Sequence, residues 1–519
     1  MTDPTTAITR WDHEGPGWLR HSGATVQVER MRDGRLLAAS LQNTGVPFKP
    51  KHESGGQPSF LLEIDGDSLN FDWTLVSSEI TTDPQTGWPG DRIVLRHARK
   101  PVEVTISTDA SGGGLFRRRI SLRNTATAGS WGISKVSPFA SVLWQGSRPG
   151  ISAPFAVGSF QENLWGHEGT FTWRNLPVNA EFTIGSERGR SGWGSPWAVC
   201  RNQITGGYLL VALAWSANWR IGLYTSLSAN DQSSHLRCEV GPTGPAPLRI
   251  VSAGETVELP EVHFGMGYDD FDALIQAWHT HIRSGVLTQD TIPQPVILNH
   301  WGYMEHELEE SRLHAEIDIA AEIGAELFMV DAGWFGNRGQ NWYNTVGDWK
   351  AGDRLPGDLF PVFDHARARG LQVGLWVELE TADSKGSELA KAHPDWFLTR
   401  YGKTVDRLLD LSKPEVAAHL EAVCINLVER YRLDMFRLDY NTDANEGGFN
   451  QRDGRMENTT WRHVEVLYGI FERLKKRFPN LQLENCSSGG GRTDIGIASR
   501  FQCHCAKDSA SDTREFAVI

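Results

Sequence analysis

The chain has little of what several protein classes require. Its 519 residues include six cysteines, too few for a disulfide scaffold, so a reducing compartment fits. It contains no run of 18 apolar residues, and we therefore predict no membrane span and no membrane partner. The first ten residues, MTDPTTAITR, lack the apolar core of a secretory signal. We expect a cytoplasmic protein.

Basic charge is also scarce. The 51 lysines and arginines stand against 64 acidic residues, which gives a formal net charge of −13. Such a protein is a poor partner for the phosphates of nucleic acid or for an anionic membrane surface. Internal repeats and low-complexity tracts are missing as well. We expect no nucleic acid partner, and the charge is compatible with a neutral substrate.

Tryptophan, by contrast, is abundant, with 20 residues. Aromatic faces stack on the apolar faces of sugar rings, and the indole N–H adds a donor at the edge. Most tryptophans pack in cores, so only those beside acids at strand ends are candidates for a sugar site. Trp334 and Trp376 stand in that position, and we predict that both contact a substrate.

The first half of the chain alternates apolar and polar residues with period two. Examples are "ATVQVERM", "VEVTIST" and "YLLVALAW", and glycine-rich turns separate such segments. This pattern predicts a large antiparallel β-sandwich, similar to a supersandwich. Residues 268–287 have helical spacing and predict a linking helix. The two prolines that follow mark a boundary, so we predict an N-terminal domain over residues 1–290.

From residue 291 to 519 short apolar runs alternate with helical patterns, which predicts parallel βα units. An open dinucleotide-binding sheet and a closed barrel both have this pattern. No G-x-G-x-x-G follows the first strand, which argues against the open sheet. Polar residues also gather at the ends of several strands, as in barrel enzymes. These residues are Asn299, Asp331, Glu378, Glu380, Asp439, Glu484 and Cys486. We predict a (β/α)₈ TIM-type barrel with about six of its eight units present.

Asp439 ends the apolar strand "DMFRLDYN" and follows Arg437 by two places. An adjacent cation would keep the carboxylate ionised, as a nucleophile requires. A structural ion pair with Arg437 is the plain alternative. Glycoside hydrolysis needs a second acid on the other side of the anomeric carbon. Spacing does not choose among the candidates, which are Glu378, Glu484, Asp494, Asp508 and Asp512.

Two other kinds of site are weaker interpretations. The segment "FQCHCAK" brings together Cys503, His504 and Cys505, but zinc sites usually place two to four residues between cysteines. The segment "SSGGGRTD" lacks the Lys-Ser/Thr ending of a phosphate-binding loop. We therefore predict neither a metal nor a cofactor.

The sequence resembles glycoside hydrolase family 36, the group of α-galactosidases and raffinose synthases. The N-terminal half resembles the family in its strand-rich pattern, and residues 296–500 resemble it in their sequence motifs. Six motifs occur in the family's order: "VDAGWFG" (330–336), "GDW" (347–349), "GLWVELE" (374–380), "HPDW" (393–396), "FRLDYN" (436–441) and "CSSGGGR" (486–492). Six motifs in order are far more specific than any one alone.

The resemblance implies a retaining α-galactosidase that needs no cofactor. Asp439 stands where the family has its catalytic nucleophile. The resemblance also assigns sugar-binding roles to Asp331, Trp349, Arg437, Cys486, Gly489 and Arg492. The expected substrate is an oligosaccharide or another α-galactoside, and the resemblance suggests a homo-oligomer.

Three departures from the family pattern bear on the substrate and the mechanism. Ala332 replaces the second acid of the family's Asp-Asp-Gly-Trp motif, which makes α-N-acetylgalactosaminide a competing substrate. Arg437 replaces a lysine and offers a larger, flatter donor. The family's acid/base aspartate follows a tryptophan in a Trp-x-Ser-Asp-like segment, which this chain lacks. Asp508 and Asp512 are the remaining candidates for that role.

The end of the sequence also departs from the family. The family's C-terminal β domain is not found, and the residues after Phe501 resemble a strand poorly. The barrel is therefore expected to be incomplete at its C-terminal end. The alternative function from another class is a catalytically impaired, sugar-binding fragment.

Overall fold

The N-terminal half folds into antiparallel sheets. The computed structural model describes residues 7–11, 15–43, 57–145, 153–161, 165–166, 168–227, 234–268, 270–287 and 293–508. The first strands are β1 (Ala7–Trp11), β2 (Gly17–Ser22), β3 (Thr25–Arg32), β4 (Arg35–Asn43), β5 (Leu61–Ile64), β6 (Asp67–Ser68), β7 (Trp73–Thr82), β8 (Pro89–His97), β9 (Val102–Gly112), β10 (Leu115–Asn124) and β11 (Ser130–Ser137). They are followed by β12 (Phe139–Gln145), β13 (Phe155–Phe160), β14 (Phe171–Leu176), β15 (Glu181–Ser186), β16 (Trp197–Asn202), β17 (Tyr208–Leu213), β18 (Trp219–Leu227), β19 (Ser234–Pro242), β20 (Arg249–Ser252), β21 (Thr256–Glu258) and β22 (Val262–Gly267).

Alternation along these strands builds the predicted sandwich. Its largest sheet has ten strands, in the order β14-β13-β16-β17-β22-β10-β9-β8-β7 with β21 beside β10. In β9 the residues Val102, Val104 and Ile106 are fully buried, while those between them are partly exposed. Side chains two apart on a strand share a face, so this face is the inner one. The predicted antiparallel sandwich is confirmed.

Helix α1 (Phe271–Gly285) lies where the linking helix is predicted and packs on this sandwich. Asp270 caps its N-terminus by accepting a hydrogen bond from the Ala273 N–H. Inside the contact, His281 Nε2 lies 2.8 Å from His263 Nδ1 of β22, and His281 Nδ1 lies 2.6 Å from Ser111 Oγ of β9. Burial holds the pKa of His281 at about 3, and burial lowers that of His263 well below its usual value.

This buried pair predicts loss of stability in acid. Below about pH 6.5 both histidines bind protons in the unfolded chain, whereas the folded pair stays neutral. The free energy of unfolding therefore falls as the pH falls toward about 3. Each histidine contributes a slope of up to about 1.4 kcal/mol per pH unit. Urea unfolding between pH 7 and pH 5 should show a smaller slope for His281→Gln than for the wild type. The exposed His279, on the same helix, supplies the control His279→Gln, whose slope should match the wild type. If the free energy of unfolding changed equally with pH in all three proteins, His281 would not be the source of the acid sensitivity.

The second half is built of parallel strands joined by helices. Its strands are β23 (Ile297–Asn299), β24 (Leu327–Val330), β25 (Gln372–Glu378), β26 (Phe397–Arg400), β27 (Lys403–Leu409), β28 (Met435–Asp439), β29 (Phe449–Arg452), β30 (Arg455–Asn458), β31 (Gln482–Asn485) and β32 (Cys503–His504). Its helices are α2 (Glu310–Glu322), α3 (Phe360–Ala368), α4 (Glu388–Ala392), α5 (Pro414–Tyr431), α6 (Thr460–Arg477) and α7 (Ile495–Ala498), with short 3₁₀ turns at Trp342–Asn344 and Pro394–Trp396.

The parallel sheet is an incomplete barrel. Its order is β23-β24-β25-β28-β31-β32, six strands within the described residues. Phe328, Leu375, Phe436 and Leu483, from four consecutive strands of that order, lie in one buried cluster with the covering helices. The predicted incomplete barrel is confirmed. The interpretation of the residues after Phe501 as a poor strand is wrong for Cys503–His504, because these two residues pair with Glu484 and Asn485.

The sandwich contacts the barrel at the ends of the strands. Arg190 donates from Nη1 to the Tyr440 carbonyl oxygen and to Ser487 Oγ, each at 2.9 Å. The Gly192 N–H donates to the Gly491 carbonyl oxygen at 3.0 Å. Both contacts reach segments that directly follow barrel strands. Among the described residues, none of the helices combines the length and apolar character needed to cross a membrane.

Candidate active site

Two carboxyl groups lie side by side where β25 and β28 end. Glu378 and Asp439 are the last residues of these strands and are partners in the parallel ladder. Glu378 has no exposed surface, and Asp439 is 6% exposed. Asn441 bridges them, since its Nδ2 donates to Glu378 Oε2 at 3.1 Å and to Asp439 Oδ2 at 2.9 Å. Strand register therefore brings two acids to one point.

Asp439 is held by four hydrogen-bond donors. Oδ2 accepts from Trp376 Nε1 at 3.0 Å and from Asn441 Nδ2 at 2.9 Å. Oδ1 accepts from the N–H groups of Tyr440 at 2.8 Å and Ser488 at 3.1 Å. Every one of these donors favours the charged carboxylate and fixes its orientation. The carboxylate is therefore held in a set position.

Glu378 has the opposite environment. Burial and the charge of Asp439 raise the pKa of Glu378 to about 7. The hydrogen bonds from Asn441 lower this pKa, but their effect is smaller. Two carboxylates this close do not readily both ionise. Glu378 therefore carries a proton much of the time at neutral pH.

Arg437 does not form an ion pair with Asp439. Its Nη1 lies 3.2 Å from Asp331 Oδ2, and its Nε lies 3.7 Å from Glu484 Oε2. Asp331 Oδ2 also accepts from Asn299 Nδ2 at 2.7 Å. The plain alternative of an Arg437–Asp439 ion pair is wrong, because arginine's long side chain reaches the neighbouring strands. The negative site is organised by neutral donors on Asp439 and by a cation on the two flanking acids.

Asp508 approaches the site from the C-terminal segment. Burial and the charge of Asp439 raise the pKa of Asp508 to about 6. Trp165 of the sandwich donates from Nε1 to Asp508 Oδ2 at 3.4 Å. Gly489 has a φ of +77°, and a Cβ there would lie 2.7 Å from the Asp508 backbone nitrogen. The glycine-rich loop therefore leaves the space through which Asp508 comes near Asp439.

The other candidate residues have different positions. Asp512 lies outside the described residues. Trp334 is fully buried and donates from Nε1 to the Trp376 carbonyl oxygen at 2.9 Å. Trp349 is 9% exposed and packs edge-to-face on Phe335. Cys486 is 1% exposed and lies two residues before Ser488.

Arg492 belongs to a buried support behind the site. Its Nη1 binds both oxygens of Glu380, at 2.9 and 3.0 Å, and its guanidinium lies over the Tyr440 ring. Glu380 Oε1 also lies 2.7 Å from His463 Nε2 of α6. The arrangement links Tyr440, the residue that follows Asp439, to Glu380 and α6. Asp494, a candidate acid in the sequence, accepts from Ser216 Oγ and caps α7, which is a structural role.

Sequence reasoning missed Asn441, Ser488 and Trp165. Asn441 lies in the "FRLDYN" motif and Ser488 in "CSSGGGR", so their positions in these motifs could have predicted them. Trp165 is separated from Asp508 by 343 residues, and no pattern along the chain could have paired them.

Several known proteins are similar to this chain. The family model named Melibiase matches residues 256–516. α-Galactosidase 2 of Pediococcus pentosaceus is 31% identical over 303 residues, which are 57% of this chain and 41% of that protein. The α-galactosidase of Escherichia coli is 27% identical over 399 residues, 72% of this chain and 53% of that protein. The chain spans about half the length of these curated relatives.

Solved structures share the fold. The galactosidase domain of AgaSK, an α-galactosidase–sucrose kinase, has a TM-score of 0.83 at 21% identity, covering 99% of this chain and 76% of that one. A single-substitution variant of the α-galactosidase AgaA of Geobacillus stearothermophilus, a family 36 enzyme solved with 1-deoxygalactonojirimycin, has a TM-score of 0.85 at 19% identity, covering 97% of this chain and 76% of that one. Variants of AgaA were also solved with raffinose and with stachyose.

Proposed function

The chain belongs to the melibiase family, and on that basis we propose that it hydrolyses terminal α-D-galactosides with retention of anomeric configuration. The observation that carries the proposal is the pair formed by Asp439 and Asp508. Asp439 is oriented by four donors and is slightly exposed. Asp508 interacts with it electrostatically and has a pKa raised to about 6. A retaining glycosidase needs one carboxylate to attack and one carboxylic acid to donate a proton.

The reaction proceeds in two displacements. Asp439 Oδ attacks the anomeric carbon, and Asp508 gives its proton to the departing glycosidic oxygen. The result is a glycosyl-enzyme ester on Asp439 and a charged Asp508. Asp508 then takes a proton from water, which attacks the same carbon and releases Asp439. Protonated Glu378 limits the negative charge beside the nucleophile, and no cofactor is required.

Sugar recognition is assigned to the groups around this pair. Asp331 and Arg437 offer acceptors and donors to ring hydroxyls, and Trp349 offers an aromatic surface. Gly489 and Cys486 belong to the loop beside Asp439. Ala332 stands where the resemblance leads one to expect an acid, which favours α-N-acetylgalactosaminide as the second candidate substrate. α-Galactosyl oligosaccharides are the natural substrates we propose, with action in the cytoplasm as a homo-oligomer.

The test is hydrolysis of p-nitrophenyl glycosides. We expect turnover of the α-galactoside and none of the β-galactoside or α-glucoside, with α-galactose as the first product seen by proton NMR. Faster turnover of the α-N-acetylgalactosaminide would favour the second candidate. A folded protein that binds galactose but releases no nitrophenol would overturn the proposal in favour of an impaired, sugar-binding protein.

Asp331→Asn tests the binding role. The change removes a charge that Arg437 and sugar hydroxyls share, and a hydrogen bond to a charged group contributes about 1.5–3 kcal/mol. We expect KM to rise about 10- to 100-fold, with a smaller change in kcat. Asp364, on the surface of α3 and 65% exposed, supplies the control Asp364→Asn, which should behave as wild type. An unchanged KM for Asp331→Asn would remove Asp331 from the sugar site.

A further inference from the structure

Two thiols and a carboxyl group converge beside the proposed acid. Cys486 Sγ, Cys505 Sγ and a carboxylate oxygen of Asp508 all lie within 4.8 Å of one another. Cys486 follows β31, whereas Cys505 and Asp508 follow β32. The proposed glycosidase reaction uses Asp508, but Cys505 has no role in it. The cluster is therefore more than the proposed reaction requires.

The local chain holds these groups together. The Cys505 N–H donates to the Asn485 carbonyl oxygen at 2.9 Å, which continues the pairing of β31 with β32. The Cys486 N–H donates to the Leu438 carbonyl oxygen at 2.7 Å. The Cys505 thiol donates to the Lys507 carbonyl oxygen at 3.0 Å. Both cysteines are thus fixed by backbone bonds to the barrel, so their sulfur atoms meet without rearrangement of the strands.

The spacing suits a tetrahedral metal ion. Zinc binds thiolate sulfur at about 2.3 Å and carboxylate oxygen at about 2.0–2.2 Å, which places ligand atoms of one ion about 3.5–3.8 Å apart. The three groups need to move by less than about 1 Å each to reach that geometry. Three protein ligands leave a fourth position for water or for a hydroxyl of a bound sugar.

The surrounding charge also suits a divalent cation. Two thiolates and one carboxylate exceed the charge of a divalent ion by one, and Arg437 supplies a compensating positive charge because it interacts electrostatically with both thiols. Cys486 is buried, while Cys505 and Asp508 are partly exposed. An ion can therefore arrive from the mouth of the barrel.

We propose that Cys486, Cys505 and Asp508 form a binding site for a thiophilic divalent ion such as Zn²⁺, and that the bound ion inhibits glycoside hydrolysis. On binding, each thiol releases its proton to solvent and the two sulfurs and the carboxylate bond to the metal. No electron is transferred. Asp508 is then a metal ligand and has no proton to give to the leaving group. The inhibition rests on the proposed function, whereas the metal site itself does not.

The sequence pointed to a different trio. Cys503 and Cys505 stand two apart on one segment, but the Cys503 thiol donates to the Gln294 side chain instead. The second thiol comes from Cys486, which is 19 residues earlier in the chain. The zinc spacing rule examines one segment at a time and could not find this site.

Cobalt titration of the full chain is the direct test. Co²⁺ takes the place of Zn²⁺ and gives a sulfur-to-metal charge-transfer band in the near ultraviolet when it binds thiolates. We expect one equivalent to give this band, and Zn²⁺ to abolish it by displacement. Cys505→Ser should weaken binding by more than about 100-fold, the upper end of what loss of a supporting partner costs. Cys503→Ser is the matched control, two residues away, and should bind as wild type. Circular dichroism checks that each variant is folded.

Activity supplies a second readout. Zn²⁺ should inhibit the wild type and Cys503→Ser reversibly, with recovery on adding a chelator, while Cys505→Ser keeps its activity in the same Zn²⁺ concentration. Absence of the charge-transfer band in the folded wild type would overturn the proposal, whatever the glycosidase assays show. A band that persists in both Cys505→Ser and Cys505→Ala would also overturn it. Metal binding without inhibition would refute the inhibitory role alone.

Discussion

Replacing Asp439 with asparagine is expected to lower kcat for p-nitrophenyl α-galactoside by at least about 1,000-fold. An amide oxygen is a poor nucleophile, so no glycosyl-enzyme ester forms. The four donors around the carboxylate enlarge the effect. An asparagine amide would point its N–H₂ at two of them, on either the Trp376 and Asn441 side or the Tyr440 and Ser488 side. Steady-state kinetics of the variant measures the loss. In the wild type, mass spectrometry after reaction with a fluorinated galactosyl inactivator should locate the label on Asp439.

Two variants separate a nucleophile from a structural acid. Asp434 lies at the other end of the same strand segment and accepts from the Val373 N–H at 2.9 Å, so Asp434→Asn should keep most of the activity. Asp439→Gly opens a space beside the anomeric carbon, and azide should restore turnover and yield β-galactosyl azide. Full activity of Asp439→Asn, or no azide product from a folded glycine variant, would remove Asp439 from the reaction.

Replacing Asp508 with asparagine is expected to have the second-largest effect, and its size should depend on the leaving group. A sugar alkoxide leaves only with a proton, so kcat/KM for raffinose should fall about 100- to 10,000-fold. A dinitrophenolate leaves without one, so kcat/KM for dinitrophenyl α-galactoside should change little. Deglycosylation loses its base as well, and the glycosyl-enzyme should accumulate. Parallel assays on the two substrates measure the contrast.

Asp512→Asn is the matched control for this prediction. Asp508 and Asp512 were equal candidates in the sequence, and the electrostatic contact with Asp439 favours Asp508. We expect Asp512→Asn to retain activity on both substrates. If the dependence on the leaving group appears in Asp512→Asn instead, the acid/base role belongs to Asp512. Equal losses on both substrates in Asp508→Asn would mean that Asp508 positions the site rather than donating a proton.

Local patterns were sufficient to predict the architecture. Period-two alternation is dictated by strand geometry, and β9 shows it in its burial. Apolar runs between helical segments gave the parallel sheet, because strands covered on both faces have to be apolar. Asp439 was recognisable because a carboxylate ends a fully buried strand. The motifs identified the family, since their order along the chain is specific.

Contacts between distant segments could not be predicted in the same way. The bond from Trp165 to Asp508 depends on how the sandwich docks on the barrel. The partners of Arg437 depend on which strands flank β28, and sequence proximity wrongly suggested Asp439. The strand Cys503–His504 is only two residues long and pairs because β31 offers it an edge. Its propensity is too weak to show in the sequence.

The bonds from Arg190 to Tyr440 and Ser487 bear on how such a protein diversifies. Tyr440 directly follows Asp439, and the Ser487–Ser488 loop donates to the same carboxylate, so a side chain of the sandwich positions two segments that contact the proposed nucleophile. Recombination that exchanged the barrel without the segment around Arg190 would remove one of the two donors to the Tyr440 carbonyl oxygen, the other being Ser487 Oγ. The two parts are expected to be inherited together, and chimaeras should keep catalysis only when the crossover preserves Arg190 with its barrel.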